Sequence, residues 1–234
     1  MRLTPMNRLA LSALAATLLL FPVLSHAQSA APAGQGDAFK DTSLLKLAPG
    51  QKAAIYEFED LECPACAHAF PIVHAAVDHY KIPLIRHDFP LQMHQWSRDA
   101  AITARYLQDK VSPDAAEQFR RDVFAAQQSI ASKEDLNSFT RKWFQGHNQQ
   151  QPFVMDPSGR FGAEVQADYT LGERLGLIHT PTVIVISPKG WTQVVDITQL
   201  YTVIDNAMAQ SPAVMTPVKT TAHSKLRKSA VAQK

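Results

Sequence analysis

The two cysteines of this chain stand three apart, as Cys63-Pro64-Ala65-Cys66, directly behind a stretch that reads as a strand, Ala53-Ala54-Ile55-Tyr56-Glu57-Phe58. Ala67 to Tyr80 follows with helical spacing, Phe70, Val73, Ala76 and Val77 on one side and Pro71 inside it. The thiols therefore sit where a strand becomes a helix. A disulfide closing so short a loop gains little from the unfolded-state entropy that makes long-range staples useful. Chemistry explains the pair better than stapling does. A helix N-terminus presents unpaired N–H groups and the positive end of its dipole, which lowers a thiol pKa from about 8.5 and yields the nucleophilic thiolate. Pro64 suits the first helical position, since its φ is preset and it has no N–H to satisfy. Cys66, one turn on, shares a face with Cys63. The reading makes Cys63 the attacking sulfur and Cys66 the resolving one.

A structural zinc site needs four ligands, and there is no second CxxC to complete it. Haem attachment wants CxxCH, whereas Ala67 stands before His68. No metal or other cofactor is expected beyond the redox-active disulfide Cys63–Cys66 itself. His68, His74 and His79 read as helix-surface residues without a role, and Glu59, Asp60 and Glu62 as a solvated acidic rim.

The two ends differ from the body. Arg2 and Arg8, an uncharged apolar run from Leu9 to Leu24, and Ser25-His26-Ala27 make residues 1–27 a signal peptide, cleaved before Gln28. Export from the cytoplasm follows. Residues 213–234 hold five cations, no acid and no aromatic, and read as a disordered basic tail. Without those five and the two signal arginines, the formal charge of +2 becomes −5 for residues 28–212, so no basic face invites nucleic acid. Residues 28–45, opening with small and turn-prone residues, read as a flexible leader with no dimerisation module, and a monomer is expected.

Leu84-Ile85-Arg86-His87-Asp88-Phe89 reads as a second strand, and strand, helix, strand in succession makes a right-handed parallel crossover the default. Residues 95–175 are nearly all helical in pattern. Ser112-Pro113 is an N-cap with an N1 proline, Ser132-Lys133-Glu134-Asp135 has the form of a capping box, Gly146 suits the C′ position of that helix, and Gly176 ends the last one. Thr182 to Ile186 is β-branched throughout, Pro188-Lys189-Gly190 turns the chain, and Trp191 to Ile197 returns as its hairpin partner before a final helix from Leu200 to Met208. The body thus divides into 46–94 and 176–212, two parts of one α/β domain, around a helical insertion at 95–175.

Tyr56 to Cys66, with His179-Thr180-Pro181-Thr182 before a β-branched strand, resembles the thioredoxin superfamily, and the helical block resembles its DsbA-like branch. The resemblance runs from about Gly50 to Met208. It implies a thioredoxin-like fold with an inserted helical domain. Glu57 falls where the family often has a buried acid that relays a proton for the second cysteine, Pro71 where a proline kinks the active-site helix, and Thr180-Pro181 where a cis-proline loop pairs with bound peptide. The implied activity is protein-disulfide interchange with exported thiol or disulfide proteins, coupled to a membrane thiol oxidase or reductase, and the implied destination of the exported chain is the periplasm. Two features depart from the strong oxidants of the branch: Ala65 stands where they carry a thiolate-stabilising histidine, and Thr180 resembles the reducing and isomerising members. An oxidase is favoured. A DsbG-like reductase or isomerase, and a chaperone or metal-holding module, are the rivals.

Overall fold

The computed structural model describes residues 37–209. The segment expected to be a signal peptide at 1–27, residues 28–36 of the expected leader and the tail at 213–234 lie outside them.

Four strands form one sheet in the order β2, β1, β3, β4: β1 is Ala54–Glu59, β2 Leu84–Asp88, β3 Thr182–Ser187 and β4 Gly190–Gln193. β1 is buried along its whole length because it lies between two neighbours and both its faces are covered. β2 runs parallel to it, pairing Ile55 with Leu84 and Glu57 with Arg86. β3 is antiparallel, pairing Glu57 with Val183 and Phe58 with Thr182. The parallel pair requires a crossover, and α1, Pro64–Tyr80, supplies it. Its Val73 and Ala76 pack on Ile55, Val183 and Val185 from one face of the sheet, beside Leu200 and Ile204 of α6, Leu200–Ala209. The helix continues through Pro71 and stops where Lys81 turns left-handed, at φ 54°.

The opposite face holds Ala54, Tyr56, Ile184 and Ile186. Phe39, Leu45 and Leu47 cover it, and this corrects the boundary of the leader. The segment from residue 37 to 45 is packed: Lys40 N–H donates to the Leu175 carbonyl at 2.9 Å, and Asp37 N–H donates to Gln193 Oε1 at 2.6 Å. The small polar residues that suggest flexibility stop at Asp37, and the apolar side chains behind them find the sheet.

The helical block comprises α2 (Ser97–Lys110), α3 (Pro113–Ala126), α4 (Lys133–Gly146) and α5 (Arg160–Leu175). Ser112 Oγ accepts from Ala115 N–H at 3.0 Å to open α3, and Ser132 Oγ accepts from Asp135 N–H at 3.1 Å to open α4. Gly176, at φ 88°, ends α5 with Leu177 N–H returning to the Gly172 carbonyl. Two ends differ from expectation. Gly146 is the last helical residue of α4 and His147 caps it. β4 stops at Gln193, short of Ile197, because the Asp196 carboxylate caps a new turn through Thr198 N–H at 2.9 Å and draws the chain out of the ladder towards α6. The core of the block is continuous with the thiols: Cys63, Cys66, Leu61 and Phe70 belong to the same apolar cluster as Trp96, Phe119 and Phe144.

Candidate active site around Cys63

β1 ends at Glu59, three residues turn the chain, and Cys63 becomes the N-cap of α1 with an extended backbone, φ −83° and ψ 119°. Its N–H donates to the Asp60 carbonyl at 3.0 Å, and its own carbonyl accepts from Ala67 N–H and from Gln127 Nε2, both at 3.1 Å. Pro64 occupies the first helical position, as the sequence requires. Both thiols are free in the structure. They are buried to different depths, Cys63 being 6% exposed and Cys66 1%.

The two sulfurs are driven apart in acidity. Cys63 is lowered from 9.0 to about 6, chiefly because the Cys66 thiol donates to its sulfur, with further help from Thr180 and from the backbone N–H groups of Cys66 and Ala65; burial opposes the shift. Cys66 is pushed well above its ordinary range, by burial first and then by donating to Cys63. Asp60 N–H also points to Cys66 Sγ, at 3.4 Å. The helix N-terminus contributes as expected, but the larger influence is the second thiol. A pair of groups whose environments separate their pKa values in this way divides into nucleophile and proton holder.

Facing Cys63 across the cleft is the loop before β3. The Thr180–Pro181 bond is cis, and the Thr180 carbonyl lies 3.4 Å from Cys63 Sγ. Thr182 Oγ1 donates to the His179 carbonyl at 3.1 Å, and His179 Nε2 lies 3.0 Å from Asp37 Oδ1, so the packed leader also steadies this loop.

Glu57 is buried, at 1% exposure. Its carboxyl is raised to about 8, by burial first and then by Glu59. Its nearest cation is Arg86, with Nε 3.8 Å from Oε2, and among the described residues no hydrogen bond joins it to either sulfur. Glu57 thus sits at the edge of a buried ionic network. Arg120 NH1 reaches Glu59 Oε1 at 2.6 Å and Asp88 Oδ1 at 2.7 Å, and Arg105 Nε holds Asp88 Oδ2 at 2.6 Å. Arg86 grips Glu117, which also faces His74 at 3.1 Å.

That network corrects two expectations. Glu59, Asp60 and Glu62 are not a solvated rim. Glu59 is ion-paired in the interior, Asp60 accepts through its carboxylate from Glu62 N–H, Leu91 N–H and His94 Nδ1 at 2.7 to 2.8 Å, and Glu62 Oε2 accepts from Trp96 and Ser97 N–H at the start of α2. Burial of a carboxylate requires such partners, and here the turn and the helix start supply them. His74 is not a bare surface residue either: it is half-buried, beside Phe70 and paired with Glu117. His68 and His79 are exposed. No cluster of three or more potential metal ligands occurs among the described residues.

Such a junction defines a class: a thiol pair at the head of a helix on a four-stranded mixed sheet, opposed by a cis-proline loop. The family model for thioredoxin matches residues 48–206, and the chain belongs to that family. Comparison with curated proteins gives no match. Among solved structures the fold is similar to ScsC of Proteus mirabilis in a transitional conformation, with a TM-score of 0.55 at 18% identity over 69% of this chain and 70% of that one. It is also similar to the thiol–disulfide exchange protein alpha-DsbA2 of Wolbachia pipientis, with a TM-score of 0.54 at 16% identity over 68% and 83% of the two chains. A periplasmic thioredoxin-like protein from Salmonella enterica serovar Typhimurium gives 0.53 at 16% identity, over 69% and 87%. The thioredoxin-like fold of DsbA type is therefore the architecture here.

Proposed function

We propose that the chain is a thiol–disulfide oxidoreductase that exchanges disulfides with exported polypeptides through Cys63 and Cys66. The observation that carries this reading is the free thiol pair at the head of α1, with Cys63 Sγ 3.4 Å from the Thr180 carbonyl of the cis-proline loop, and the opposed acidities of the two thiols accord with it. In the oxidising direction a substrate thiolate attacks Cys63 Sγ, and the Cys63–Cys66 bond breaks. Cys66 departs as a thiolate and takes up a proton, which its burial favours. A second substrate thiolate then attacks the substrate sulfur of the mixed disulfide and expels Cys63. The substrate loses two electrons and the pair gains them. Cys63 is the better leaving group because its thiolate is the more stable. In the reducing direction the same thiolate attacks a substrate disulfide, and Cys66 resolves the product.

The Thr180 carbonyl, close to Cys63, and the exposed Ile178 two residues before it suit an extended peptide laid along the loop. Oxidation is the favoured direction. Ala65 and Thr180 support the reductase or isomerase reading, since Ala65 brings no cationic side chain to the thiolate. The signal-like segment at 1–27, and the fold similarity to a periplasmic thioredoxin-like protein of Salmonella enterica, support a periplasmic location. A membrane thiol oxidase or reductase would then reset the pair, with the protein acting as a monomer.

The test is the reduction potential of the pair in glutathione buffers, together with refolding of a scrambled multi-disulfide substrate. A value well above that of thioredoxin, about −270 mV, with little rescue of the scrambled substrate, is expected for an oxidase. A thioredoxin-like value with strong rescue would reverse the direction. Chaperone activity preserved in Cys63→Ser, with no exchange in the wild type, would overturn the enzymatic reading.

A further inference from the structure

Asp60 is hydrogen-bonded to the thiol pair and to the loop between β2 and α2 at once. Its N–H points to Cys66 Sγ and its carbonyl accepts the Cys63 N–H, while its carboxylate accepts from His94 Nδ1 at 2.7 Å and from Leu91 N–H at 2.7 Å. That carboxylate is fully buried, and the histidine side chain is 15% exposed. A bare anion in this position would repel the Cys63 thiolate. We propose that His94, held on Asp60, is a positioning residue whose positive charge cancels the Asp60 anion and so permits Cys63 to ionise, supplying from a distant loop the cation that Ala65 does not provide.

The charged groups around His94 are Asp60 and Glu62 from the turn after β1 and the Cys63 sulfur at the head of α1. All are anionic or become so. His94 is raised above its ordinary value of 6.5, chiefly by its hydrogen bond to Asp60, which favours the imidazolium beside the Cys63 turn. As pH rises and the imidazolium is lost, the Asp60 charge is exposed to the thiolate. Glu62 differs in being occupied by the two N–H groups that open α2.

The inference rests on the proposed exchange chemistry, but its test does not need a substrate. Thiolate absorbance at 240 nm in the reduced protein gives the Cys63 midpoint directly. His94→Gln should move that midpoint upward by about one pH unit, and His94→Lys, which keeps a cation, should restore most of the shift. Asp60→Asn alone should leave the midpoint near 6, and adding it to His94→Gln should bring the midpoint back down. Two residues acting only as packing would shift it in the same direction, and their effects would add. An unmoved midpoint in His94→Gln, or a double variant worse than either single one, would overturn the proposal, and the first of these needs no Asp60 variant to fold. Should the midpoints move as expected while no polypeptide disulfide is exchanged, the pair stands and the proposed activity fails.

Discussion

The depressed acidity of Cys63 makes the stability of the reduced protein depend on pH in a way that one substitution removes. Its pKa in the fold, about 6, lies below its ordinary value of 9.0, so folding favours the ionised form. The contribution is complete above pH 9 and is lost as pH falls through 6. Linkage gives about 1.4 kcal/mol at pH 7, about 3 kcal/mol at pH 8 and almost nothing at pH 5. Cys66 adds no opposing slope in this window, because its thiol stays protonated in both states. Urea unfolding under reductant at pH 5 and pH 8, for wild type and Cys63→Ser, isolates the effect, since every other titrating group cancels in the difference. The wild type should gain about 3 kcal/mol on the variant between the two pH values. The disulfide form cannot ionise, so the same stabilisation of the reduced form raises the reduction potential by about 30 mV at pH 7 relative to a couple with an ordinary thiol. Parallel pH profiles for the two proteins would refute the reasoning, because they would place Cys63 at its unfolded acidity.

Arg120→Leu leaves Glu59 and Asp88 buried with one cation fewer, and should cost about 3–5 kcal/mol at pH 7, seen as a fall in Tm of roughly 6 °C or more; a loss below about 1 kcal/mol would mean that Arg86 and Arg105 suffice. Glu57 has the opposite sign to Cys63: its folded pKa of about 8 exceeds 4.5, so its contribution is full below pH 4.5 and is lost as pH rises through 8. Glu57→Gln, fixed in the neutral form, should match wild type in unfolding at pH 4 and be more stable by on the order of 4 kcal/mol at pH 8; a loss at pH 8 would show that the ionised carboxylate is needed. Pro181→Ala should weaken capture of disulfide peptides by Cys66→Ser protein while the rate of alkylation of Cys63 by a small reagent stays within about twofold.

The parts of the site that sequence reveals are those coded over short spans. Cys63 at a strand end, Pro64 at the first helical position, and Pro181 before a β-branched strand each follow from neighbours within a few residues, and the structure places all three as read. The ionic interior follows from pairings that no local pattern encodes: Arg120 meets Glu59 across 61 positions, and Arg105 meets Asp168 across 63. Acids at 59, 60 and 62 looked solvated because a charge with no visible partner is ordinarily at the surface. A signal was nonetheless present, in that an inner strand running straight into three acids must satisfy them before the helix begins. His94 and Gln127 were silent for the same reason, each reaching the cysteine turn from a loop or helix more than 30 residues away. Phe39 and Leu45 show the converse error, where turn-prone residues at 28–37 hid an apolar segment that closes one face of the sheet.

The most direct examination of the account is competitive alkylation of the reduced protein with iodoacetamide across pH 4 to 10, with mass spectrometry to locate the label. Cys63 should be modified first, half-maximally near pH 6, while Cys66 stays unlabelled until well above pH 9. Modification of Cys66 before Cys63, or a single midpoint near that of an ordinary thiol, would contradict it.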